Sequence, residues 1–290
     1  MNNYEEIIEK DKEQKIFDKN EWKLKKQKER QEIFELLDKT LDDIQNNVQQ
    51  FQTYLDVQSH FDKYTVSNAI LIMAQKPNAI KIKDYEAWKK GGAYLLKNEK
   101  SFVILEPSDT YKKNDGRQTT YFNPKRVFDI SQTNLSINNK KNSYDNKIML
   151  NALLHNCSVD VKALDNLPNG MNAEWNKGDN VLYIKKGLDG PILFQSLTKE
   201  MARADFVKSD NELNNFKSYC ISYMICKKYN IDVTNYKIDK IPETLQNMDL
   251  KEFKNELSDI RNGMQDMNAR IGLFFENLSK NKQKNYEQER

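Results

Sequence analysis

Apolar residues recur at Ile33, Leu37, Leu41, Ile44, Val48, Phe51 and Leu55, spacings of three and four that put them on one stripe of a helix. A second helix is expected to open near Thr65 or Ser67 and to end before Pro77, whose ring cannot continue it. Short strands fit 102–105 and 127–130, joined by a polar run that contains the turn residues Asn114, Asp115 and Gly116. Residues 134–147 are mostly Asn, Ser and Lys and read as a linker. Beyond it, 148–157 reads as a helix, 180–184 as an alternating strand, and 191–197 and 216–226 as helices. Near the C-terminus, Leu250, Phe253, Leu257, Ile260, Met264, Met267 and Ile271 follow a seven-residue pattern. We read that helix as packing on its own domain, a coiled-coil seam being the alternative. Residues 1–30 mix charges of both signs with isolated apolar sites such as Trp22 and Leu24, as in a solvated, partly helical arm.

A chain of 290 residues is long enough for its core to divide. The expected organisation is a charged arm (1–30), a first domain (31–133), the linker and a second domain (148–290). The net charge of +3 is too small to argue for a polyanionic partner. Its distribution says more: Lys76, Lys81, Lys83, Lys89, Lys90, Lys97 and Lys100 stand against Asp84, Glu86 and Glu99, with Tyr85, Trp88 and Tyr94 interleaved. Lysines neutralise phosphates and rings offer faces to unpaired bases, so the segment is a candidate single-strand surface. Tyr111 and Tyr121 are further candidate platforms, and an ordinary solvated surface is the competing reading. Cys157, Cys220 and Cys226 form no CxxC pair or disulfide framework, which suits buried thiols in a reducing cytoplasm. No stretch approaches the roughly 18 apolar residues of a membrane span, so no membrane partner is expected. No phosphate-binding loop of the GxxxxGK[ST] or GxGxxG kind is present.

Two groups of motifs carry a family resemblance over roughly residues 30 to 280. The first runs Tyr64-Thr65-Val66-Ser67-Asn68-Ala69-Ile70, Gln75-Lys76-Pro77-Asn78-Ala79, Trp88, Gly92, Lys97-Asn98-Glu99-Lys100, Ile104-Leu105-Glu106-Pro107 and Val127-Phe128-Asp129-Ile130-Ser131-Gln132-Thr133. The second runs from Asn169 to Trp175, through Asn180-Val181-Leu182-Tyr183-Ile184 and Gly187-Leu188, into Lys199-Glu200-Met201-Ala202-Arg203-Ala204. This order resembles the ArdC antirestriction family of mobile elements, whose N-terminal domain binds single-stranded DNA and whose C-terminal domain is a zincin-like metallopeptidase. The resemblance implies DNA contacts at Tyr64, Asn68, Lys76, Lys81, Trp88, Lys97 and Lys100. Asn98 departs from it, since the family has Gly in that turn.

The second group departs further. Where the family carries HExxHA, two histidines four residues apart donate lone pairs to Zn²⁺ and the Glu acts as general base. Here those histidine positions hold Lys199 and Arg203, protonated groups with no lone pair to give, and the third ligand position, a Glu in the family, falls on Tyr219. His60 and His155 make no pair at ligand spacing. The expectation is an α+β protein: a helical and small-sheet N-terminal domain followed by a zincin-like domain lacking metal ligands. It would hold no cofactor and would not be an enzyme, with Glu200 reduced to a helix partner of Arg203. Its partner would be single-stranded DNA, protected from restriction as in relatives on conjugative and phage elements. The alternative is a pseudopeptidase module that grips a host protein in the vacated cleft.

Overall fold

In the computed structural model of the protein, residues 3–112, 118–135, 145–157, 159–206 and 211–288 are described. The turn at Asn114–Gly116, most of the 134–147 linker and the Tyr111 side chain lie outside them. The elements are α1 (Asn3–Asn46), α2 (Val48–His60), α3 (Val66–Gln75), β1 (Ile82–Lys83), α4 (Tyr85–Lys90), β2 (Phe102–Lys112), β3 (Gln118–Asp129), α5 (Asn146–Leu154), β4 (Asp160–Leu164), β5 (Ala173–Asn176), β6 (Val181–Lys185), α6 (Gly190–Phe206), α7 (Glu212–Lys228), α8 (Glu243–Gln246) and α9 (Leu250–Gln288). The mixture of helices and two small sheets is α+β. Among the described residues, no helix is long and apolar enough to cross a membrane.

Contacts divide the chain into two units, Met1–Thr40 with Ile70–Leu135, and Leu41–Ala69 with Ser136–Arg290. The sequence reading kept 31–133 together; the contacts instead assign 41–69 to the second unit. The single stripe read from Ile33 to Leu55 is also two helices. Asn47 interrupts it with extended backbone (φ −131°, ψ 116°), and its side chain accepts hydrogen bonds from the Gln49 and Gln50 amides. Asparagine is among the best N-cap residues, because its side-chain oxygen satisfies amides that a helix start leaves without partners.

The first unit is built on a sheet of order β1-β3-β2, antiparallel throughout. Phe102, Val103, Ile104 and Leu105 are buried, as is Val127 opposite Phe102. The hairpin extends well past the expected 102–105 and 127–130, because the β-favouring residues Thr, Tyr and Phe carry β2 and β3 onward. Pro107 is tolerated because β2 is an edge strand. Pro124 sits in the central strand but beyond β1, which pairs only with Phe128 and Asp129, so no ladder bond is forfeited on that side. Ile130, expected in the strand, opens a short 3₁₀ turn instead.

In the second unit β6 runs between β4, parallel to it, and β5, antiparallel. The sequence pattern does not announce β4: apart from Val161, its residues are exposed, so no apolar alternation marks it. Helix α6 packs on β5, β6 and α7, and α7 also packs against α2 and α9. Helix α7 is therefore buried almost all round, from Lys217 to Cys226 with Tyr219 half-covered. Buried Lys217 is held by Glu256 at 2.7 Å and Asp259 at 2.8 Å on α9. Phe253, Leu257, Ile260, Met264, Met267 and Ile271 are all fully buried, so α9 packs within its own unit. Of the thiols, Cys220 and Cys226 are buried and Cys157 is half-buried.

Candidate functional site

Helix α6 carries the altered motif on one of its faces, since residues three and four apart are neighbours on a helix. Glu200 is buried, only 4 % exposed. Its Oε2 accepts from the Trp175 backbone N–H at 3.0 Å and from Arg203 Nη1 at 2.8 Å, while Lys199 Nζ lies 3.9 Å from Oε1. The pairing with Arg203 expected from the sequence is present and buried, and Glu200 also ties β5 to α6. Neighbouring Thr198 continues this polar seam into α7: its hydroxyl meets Ser222 Oγ at 2.6 Å, and Ser222 meets Tyr236 OH at 2.6 Å.

Tyr219, where the resemblance implies the third ligand, accepts the Lys237 amide at 2.6 Å through its hydroxyl, which stands 3.2 Å from the Lys237 carbonyl. Its ring packs on Tyr236 with centroids 4.9 Å apart. Burial pushes its phenol upward, against the pull of the Lys237 amide, so it is a neutral hydroxyl rather than a phenolate ligand. An ammonium, a guanidinium engaged with Glu200 and a protonated phenol do not fit a divalent metal.

The first unit holds Lys76, Lys81, Trp88, Lys97 and Lys100; Tyr64 and Asn68 belong to the second. Two of these residues are buried. Trp88 is 2 % exposed, its Nε1–H donates to the Phe128 carbonyl at 2.9 Å and Lys83 Nζ stands 5.0 Å from its ring centre, so it anchors α4 rather than offering a face. Asn68 is 8 % exposed in the first turn of α3, its amide donating to Thr65 Oγ1. Tyr64 is half-buried, edge-on to Phe61 at 5.5 Å. Lys76 is half-buried, and Lys81, Lys97 and Lys100 are exposed.

Asp129 holds this segment in shape. Its carboxylate accepts the amides of Ile80 (2.7 Å), Lys81 (2.9 Å) and Ser131 (2.9 Å). The Gln132 side chain closes the cap by accepting the Asp129 amide at 2.9 Å, and it donates to Glu99 and to the Lys100 carbonyl at 2.8 Å each. The turn carrying Lys97 and Lys100 is thus fixed from both ends. Asn98 adopts φ 67° there, a left-handed conformation that asparagine tolerates. Tyr85 and Tyr94 are half or more exposed on the same segment.

A second basic and aromatic surface, on α1 and β3, escaped the sequence reading, which took residues 1–30 for a solvated arm. The available signal was the spacing of Trp22, Lys26 and Arg30, each four residues from the last and hence on one helix face.

No protein family and no curated protein matches the chain. Solved structures of the antirestriction protein ArdC from plasmid R388 do. The metal-free structure covers 75 % of this chain and 86 % of that one, at 14 % identity and a TM-score of 0.47. The Mn(II)-bound structure covers 73 % and 84 %, at 13 % identity and a TM-score of 0.49. This is the family that the sequence motifs resemble.

Proposed function

We propose that the first unit binds single-stranded DNA with little sequence preference, in an antirestriction-like role on mobile-element DNA. The observation that carries this reading is the segment 80–100. It exposes Lys81, Lys97 and Lys100 together with the rings of Tyr85 and Tyr94, on a frame held by Asp129 and Gln132. Lysines at such positions contact phosphates of any sequence, and open rings accept only unpaired bases. The full chain is therefore expected to prefer a fluorescent single-stranded oligonucleotide over the same duplex. Replacing Lys97 and Lys100 by Ala should flatten the salt dependence of that binding, by roughly 0.7 in log–log slope for each phosphate no longer neutralised. Equal affinity for single and double strands, or no binding at low salt, would refute the reading. The fragment 31–135 is unsuited to the test, because 41–69 belongs to the other unit.

The second unit, in the same reading, is a zincin-like domain that has given up its metal and its peptidase activity. This rests on Lys199 and Arg203, cations with no lone pair to give, and on Tyr219, a neutral phenol already engaged with the Lys237 backbone. Purified protein should contain far less than one zinc or manganese per chain by elemental analysis. About one metal per chain, retained through mild chelation, would overturn this. The combined Lys199→His, Arg203→His and Tyr219→Glu change is the matching gain-of-binding test.

A further inference from the structure

From the cavity between α1 and β3 we infer a pocket for one unpaired base of a bound strand, an inference that rests on the single-strand reading above. The cavity measures about 390 Å³ and is lined by Trp22, Lys26, Gln27, Arg30, Asn123 and Pro124. That volume lies in the range of small-ligand sites. Its shape follows from the sequence: Trp22, Lys26 and Arg30 rise along one face of α1 a turn apart, with Gln27 beside them, and Asn123–Pro124 form the β3 wall.

Two contacts hold α1 to the hairpin and keep the pocket in place. Glu29 receives Arg126 of β3 at 2.7 Å and Lys26 at 3.1 Å. Burial raises the Glu29 carboxyl, but hydrogen bonds and charge from Lys26 and Arg126 bring it below the ordinary glutamate value, so the tie is ionised at neutral pH. Arg30 lies over the Tyr121 ring at 4.9 Å and 5.6 Å from the Phe34 ring centre, which fixes its planar head.

The lining selects a ligand class. The Trp22 indole, 61 % exposed, and the Pro124 ring offer flat apolar contact. The Gln27 and Asn123 amides each carry both a donor and an acceptor, so they can meet the edge of any base. Among the lining residues, Lys26 and Arg30 supply positive charge at the wall. A bare anion would not use the rings, and a neutral apolar ligand would strip water from the amides and cations without replacing it. A planar base attached to phosphates uses all of them, and only an unpaired base can enter.

The test is a titration of the full chain with a labelled oligothymidylate, with a strand of the same length bearing abasic sites, and with thymidine monophosphate. Trp22→Ala, at an exposed position, should weaken oligothymidylate binding about 5- to 150-fold, the loss expected of one stacked base, and leave the salt slope and melting temperature unchanged. Trp22→Phe should restore most of the affinity. The abasic strand should bind the wild type and Trp22→Ala alike. If oligothymidylate binds and Trp22→Ala changes nothing, or the abasic strand shows the same loss, the pocket is refuted while single-strand binding stands. Thymidine monophosphate binding more tightly than the oligonucleotide would make the site one for free nucleotides and overturn the assignment to a strand. Failure of the wild type to bind any oligonucleotide at low salt would remove both inferences together.

Discussion

Glu200→Ala is expected to destabilise the second unit by about 3 kcal/mol, because it leaves the Arg203 guanidinium and the Trp175 amide without their acceptor in a largely buried place. For a domain of this size that is a drop of roughly 6–12 °C in melting temperature, readable by circular dichroism. A catalytic carboxylate behaves otherwise: active sites store strain, and removing their charged groups commonly leaves stability unchanged or improved. Glu200→Gln should fall in between, since its amide oxygen still accepts from Trp175 but no longer balances Arg203. The pair can be isolated with Glu200→Met combined with Arg203→Met, which should cost less than either single change, as apolar replacement of a buried ion pair often does. A melting temperature for Glu200→Ala within about 2 °C of wild type would contradict this role.

Asp129→Ala should do comparable harm in the first unit. It removes one acceptor from three backbone amides in a buried cap, each loss costing about 1 kcal/mol or more, so about 3 kcal/mol in all. Because these amides shape the segment with Lys81 and the turn with Lys97 and Lys100, oligonucleotide affinity should fall along with the melting temperature. The same carboxylate confers acid sensitivity. Burial alone would raise its pKa, but the Ser131, Lys81 and Ile80 hydrogen bonds pull it below the ordinary aspartate value. A group depressed in the folded state stabilises the fold above its unfolded pKa, near 3.9, and that contribution is lost as pH falls through the lower folded value. Asp129→Asn should abolish this portion of the acid-induced loss, which equilibrium unfolding between about pH 5 and pH 2 would detect. An unchanged acid profile would contradict it.

The elements most legible in the sequence are those with one buried face. The α9 pattern from Phe253 to Ile271 appears as periodicity, because burial on one side imposes it residue by residue. Elements without such a face left no trace. β4, for one, is mostly exposed. Trp88 shows the limit for sites: a tryptophan among lysines is equally consistent with a stacking platform and an anchor, and only the Phe128 carbonyl waiting at 2.9 Å makes it an anchor.

By itself the sequence determined the helical stripes, the α+β class, the motif order and the residue types Lys199, Arg203 and Tyr219. These are properties of residue type and spacing. The tertiary structure alone decided the break at Asn47, the transfer of 41–69 to the second unit, the burial of Glu200 against the Trp175 amide and the placing of Trp22 and Asn123 on one cavity. Each depends on which distant segment covers a residue. Periodicity records that a face is covered; the partner that covers it comes from chain remote in sequence, where no local pattern reaches.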